Sequence, residues 1–142
     1  MTTKSSKSNV RCAIYVRVNV AGCATASDAF RAQNDATETF IQSHRHHGWT
    51  SIGTYGDVGH SGGTMERPAL QRLLADMKAG MVDCVVVSSF DRLTRSMDDQ
   101  AELIAEFCQH DVTLVTVSPV RFVVVGTKVR DSSAEILRTR GA

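Results

Sequence analysis

Apolar positions fall into short β-branched runs separated by stretches of helical period. Residues 11–18, RCAIYVRV, predict a first strand. A helix follows over SDAFRAQNDATETFIQSHRHHG, with Ser27 as its N-cap and Gly48 as the glycine past its end. Phe30, Thr37, Phe40, Ile41 and His44 share one face of it. Residues 50–55 predict a second strand, and a glycine-rich loop, GDVGHSGGTMER, comes next. PALQRLLADMKAG predicts a helix opened by Pro68 and closed by Gly80, with Leu70, Leu73, Leu74 and Met77 as its apolar stripe. VDCVVVSS is continuous and β-branched, as a central parallel strand should be. MDDQAELIAEFCQH turns Leu103, Ile104 and Phe107 inward, and residues 112–117 give a fourth strand. Beyond it, 121–129 reads as a fifth strand and 132–140 as a short helix capped by Ser132.

This alternation predicts an α/β fold, a mainly parallel sheet of four to five strands with helices packed on it. In such a sheet the carboxyl ends of the strands share one edge, where open α/β folds bind ligands. The out-of-place polar residues lie there. Arg17 and Asn19 end the first strand; Asp57, His60 and Ser61 follow the second; Ser88, Ser89, Asp91, Arg92 and Arg95 follow the third. A guanidinium inside an apolar strand needs a partner. DRLTR sets Arg92 and Arg95 on one face if it is helical. Arg17, Arg92, Arg95 and Arg67 converging on one edge point to an anion, and the anion that matches guanidinium bidentately is phosphate.

Composition narrows this. The 142 residues suffice for one domain, and 42% hydrophobic with 22% charged residues is globular. A net charge of +1 gives no strong overall attraction to nucleic acid or membrane, so any such binding depends on the local arginines. No apolar run reaches bilayer length, and MTTKSSKSNV lacks the apolar core of a signal peptide; residues 1–10 read as a disordered tail. Cys12, Cys23, Cys84 and Cys108 form no CxxC pair and read as reduced thiols of a cytoplasmic protein. GHSGG matches the nucleophile elbow of esterases, but that motif needs a helix straight after the serine, and here the helix waits until Pro68. The histidines of HRHHG suit a solvated helix end better than a metal site. No Walker A or GxGxxG pattern occurs, and neither metal nor cofactor is expected.

IYVRV, YGDVGHSGGTMERPALQRLLADMKAG and VDCVVVSSFDRLTRS together resemble the catalytic domain of the serine recombinases, the resolvase/invertase family, in particular phage and transposon integrases. The likeness covers residues 11–118. It implies a resolvase-like fold and site-specific DNA strand exchange within a dimer or tetramer. A serine just after the first strand attacks a DNA phosphodiester and forms a 5′-phosphoserine link, without metal or nucleotide. The family's arginines fall on Arg17, Arg67, Arg92 and Arg95, its acidic residue on Asp91, its loop pair on Asp57 and Ser61, and its helix glutamine on Gln33.

Two features depart from the family pattern. Asn19 stands at the nucleophile position. A carboxamide nitrogen has its lone pair delocalised into the carbonyl, so it can hydrogen-bond a phosphate but not attack it. Residues 119–142 do not match the family's long dimerisation and DNA-contacting helix or its separate DNA-binding region; they read as a divergent or truncated tail without a DNA-binding domain, of a composition that a shifted reading frame can give. The expectation is therefore a recombinase catalytic domain that is cleavage-defective and binds DNA weakly. The alternative is a non-catalytic module that pairs with an intact recombinase.

Overall fold

The computed structural model describes residues 9–18, 24–58, 67–94 and 96–129, and for 24–26 the backbone alone. In chain order the elements are β1 (Val10–Val18), α1 (Ala24–Ser43), β2 (Trp49–Val58), α2 (Pro68–Lys78), β3 (Cys84–Val87), α3 (Phe90–Leu93), α4 (Met97–Gln109), β4 (Thr113–Val117) and β5 (Val120–Val124). One sheet runs β2-β1-β3-β4-β5, with the first four strands parallel and β5 antiparallel to β4. The chain steps from β1 outward to β2, then returns across β1 to β3. A fixed crossover hand places α1 and α2 on opposite faces. The core divides accordingly. Ala13, Tyr15, Val85, Val87 and Leu114 meet α2 and α4, while Cys12, Ile14, Val16, Cys84, Val86 and Val115 face the side holding Phe40 and Ile41 of α1. Burial pushes the Cys84 thiol well up, with Cys12 beside it adding to the effect, so Cys84 sits in the core as a neutral thiol.

The α/β class and the parallel order are as the sequence predicts; several boundaries differ. Val10 already belongs to β1 and is buried. Helix α1 begins at Ala24, so Ser27 is an exposed helical residue and not its cap. It ends at Ser43, and a 3-10 turn over Arg45–His47 leads into Gly48, which is left-handed at φ 87°. His44 is buried with its ring 4.4 Å from that of Phe40 and 4.7 Å from that of Trp49. Strand β2 runs on to Val58, which puts Asp57 inside a strand, opposite Arg17. The fifth strand is the shorter Val120–Val124; its Phe122 ring meets Trp49 at 6.3 Å, and Val129 beyond it is fully buried on the α1 side. The helix expected over 132–140 lies outside the described residues. Among the described residues no helix is long and apolar enough to cross a membrane.

Candidate active site

Strand β1 outruns β3. Their last paired residues are Tyr15 and Val87, so Arg17 stands where β3 has already ended. Its peptide group is taken up instead by side chains. Gln33 of α1 accepts from the Arg17 N–H at 3.4 Å and donates to the Arg17 carbonyl at 3.0 Å, as a neighbouring strand would. The Arg92 Nη1 donates to the same carbonyl at 3.3 Å. The end of β1 is fixed from α1 and α3 together.

The Arg17 side chain is fully buried. Its Nε donates to the Arg92 carbonyl and its Nη2 to the Asp91 carbonyl, both at 2.9 Å. Arg67, also fully buried, donates to the carbonyls of Leu93 and Arg92 and, at 3.1 Å, to the Tyr15 hydroxyl. Two guanidinium groups thus bind the carbonyls of one four-residue turn, α3. Such hydrogen bonds from a charged donor are about twice as strong as neutral ones. The turn would not be stable alone at that length. The helix ends at Leu93, and Thr94 after it is extended. Asp91 is exposed and Arg92 half-buried at the mouth of the site.

Asp57 is 2% exposed and has three donors on it: the Tyr15 hydroxyl at 2.8 Å and the N–H groups of Ala69 and Leu70 at 2.9 and 3.1 Å. It caps α2 from the neighbouring strand, satisfying two of the orphan donors at that helix start. Burial raises the Tyr15 phenol well above its ordinary pKa, and its hydrogen bond to Asp57 adds to this, so it stays protonated as the donor that joins Asp57 to Arg67. Tyr15 escapes the sequence reading, although a phenol inside an apolar strand calls for a partner just as Arg17 does. Arg17, Gln33, Asp57, Arg67, Asp91 and Arg92 therefore gather at the carboxyl edge of β1 and β3. Asn19, Ser61 and Arg95 lie outside the described residues, as does the whole GHSGG stretch with His60. Among the described residues no three His, Cys, Asp or Glu side chains gather as metal ligands do.

A central parallel sheet with an arginine network at its carboxyl edge is the architecture of a recombinase catalytic domain, and the comparisons agree. The family model "Resolvase, N terminal domain" matches residues 12–135, and the chain belongs to that family, the catalytic domain of the serine recombinases. A putative DNA recombinase of Bacillus subtilis (strain 168) is 31% identical over 106 residues, 75% of this chain and 20% of the relative. The chain thus spans about a fifth of that curated relative's length. The crystal structure of the N-terminal catalytic domain of TP901-1 integrase superposes with a TM-score of 0.70 at 27% identity, covering 93% of this chain and 99% of that one. A resolvase family site-specific recombinase from Streptococcus pneumoniae shares the fold, with a TM-score of 0.67, 22% identity and coverage of 93% and 90%. The match of the family model past residue 118 accords with β5 completing the sheet.

Proposed function

We propose that this domain holds a DNA phosphodiester at its carboxyl edge but does not cut it, because Asn19 stands where the nucleophilic hydroxyl belongs. In this reading Arg92 and Arg95 hold the phosphate, with Arg17 beneath them. Arg67, Asp57 and Gln33 act one step back by fixing α3, α2 and the end of β1. Asp91 shapes the field at the mouth. The observation that carries the proposal is the clamp on the Arg17 peptide by Gln33 and Arg92, two residues before position 19. The strand end before position 19 is thereby fixed as far as Arg17, and the chemistry of the residue at 19 decides the outcome. Electrostatic stabilisation of a pentacoordinate phosphate does not help without an attacking oxygen.

The partner is DNA. This domain alone binds it weakly and with strong salt dependence, since its net charge is only +1 and specific interfaces need roughly 1,000 Å². Assembly with further copies, or with an intact recombinase, supplies the rest. The test is a chimera carrying a relative's DNA-binding part, joined beyond Val129 because β5 and Val129 belong to the fold. Asn19→Ser should nick and relax a supercoiled plasmid bearing the cognate site, and the unaltered sequence should leave it intact. Relaxation by both would sink the reading.

A further inference from the structure

We propose that a second cleft at the same sheet edge takes one unstacked nucleotide of the DNA strand, its base against Phe90 and its phosphate at Arg121. The cleft has a volume of about 390 Å³ and lies between α3, α4 and the β4–β5 hairpin. It rests on the recombinase reading and gives that reading a second contact with its substrate.

The construction of the cleft argues for this ligand. Thr116 forms the floor; it is buried, and its hydroxyl donates to the Pro119 carbonyl at 2.7 Å, so the floor is already satisfied. Thr116 and Arg121 are register partners across β4 and β5, so both side chains rise on the face where α4 supplies Gln100. Asp91 and Phe90 form the opposite wall at the end of β3. Two strand spacings, roughly 10 Å, separate β3 from β5. That is comparable to the span from the donor edge of a base to its own phosphate. Phe90 offers a stacking face, Val123 an apolar rim, Gln100 a donor and an acceptor, Asp91 an acceptor, and Arg121 a phosphate ligand. The volume suits a small ligand, so a single nucleotide enters only when it leaves the stack. The carboxylate of Asp91 favours bases that carry an exocyclic amino group, which thymine lacks.

The cleft is also joined to the arginine site. Asp91 lines it, and the Asp91 carbonyl is held by Arg17 at 2.9 Å. A nucleotide seated there therefore bears on the turn that carries Arg92.

The unaltered chain suffices for the test, since binding here needs no nucleophile. Single-stranded oligo-dC and oligo-dT hexamers are titrated into isotope-labelled protein at low salt. The expected result is saturable resonance shifts centred on Phe90, Gln100 and Arg121, with oligo-dC at least fivefold tighter than oligo-dT. Arg121→Ala, an exposed position that the fold tolerates, should weaken oligo-dC about tenfold, and Gln100→Ala should narrow the preference. Shifts elsewhere, or affinity unchanged in Arg121→Ala, overturn the proposal. An Asn19→Ser chimera that relaxes plasmid while the cleft ignores single strands overturns the subsite alone and leaves the recombinase reading standing.

Discussion

The two edges of the sheet use arginine in opposite ways. At the amino edge Arg11 meets a carboxylate: its Nε and Nη2 donate to Asp83 at 2.9 and 3.0 Å, and Lys128 approaches the same carboxylate at 3.4 Å. That charge pair ties β1, β3 and the segment after β5 together, with the Arg11 side chain still 37% exposed. At the carboxyl edge Arg17 and Arg67 are fully enclosed and reach for main-chain carbonyls of α3. The first arrangement joins elements that are already regular. The second creates an element, since α3 has too few residues to hold itself. An arginine that builds a turn at the carboxyl edge shapes the candidate site, while one paired with a carboxylate ties regular elements together.

Removing a wholly buried cation should cost more than breaking a pair that water can still reach. Arg67→Ala leaves the Leu93 carbonyl without its guanidinium donor and takes one donor each from the Arg92 carbonyl and the Tyr15 hydroxyl, and should lower unfolding stability by about 3 kcal/mol in a urea titration. Asp57→Ala uncaps α2 and leaves the Tyr15 hydroxyl without its acceptor; about 2 kcal/mol is expected, with amide exchange quickening first at Ala69 and Leu70. Asp83→Asn should cost roughly 1–2 kcal/mol at pH 7, reduced by screening at the exposed Arg11. Lys128→Ala, at the exposed end of that cluster, should change stability by less than about 0.5 kcal/mol. A loss for Asp83→Asn larger than that for Arg67→Ala would reverse the comparison.

Acid sharpens it further. Burial works against ionisation of Asp83, but the hydrogen bonds from the Arg11 side chain and backbone, with the Lys128 charge, outweigh this and hold its pKa below the usual 3.8. A carboxylate lowered in the folded state contributes fully above its unfolded pKa and loses that contribution as pH falls through the folded value. The unaltered protein should therefore lose stability below about pH 4 more steeply than Asp83→Asn, whose amide does not titrate. Parallel curves would show that the pair carries no such linkage.

Local patterns made much of this fold legible. The stripes Leu70–Leu73–Met77 and Leu103–Phe107 and the run Cys84–Val87 predict α2, α4 and β3 because each buries a regular face. Strand β2 is under-read because glycines 53 and 56 and its exposed positions break any alternation. The α3 turn has no local signal at all; its bonds come from Arg17 and Arg67, distant in sequence. One signal at the site does exist in the chain. Helix α2 starts at Pro68 after Arg67, which makes no side-chain cap, so its first N–H groups require an acceptor from elsewhere. Asp57 is that acceptor, whereas the sequence places it only among the polar residues after the second strand.

The central claim is that the site is built and its nucleophile replaced. The most direct measurement is covalent trapping. Chimeras with Asn19 and Asn19→Ser are incubated with a cognate duplex, denatured, and any protein–DNA adduct is digested and mapped by mass. The account predicts a phosphodiester on residue 19 with serine and no adduct with asparagine. An adduct formed by the asparagine protein, or one mapped to another hydroxyl, would contradict it.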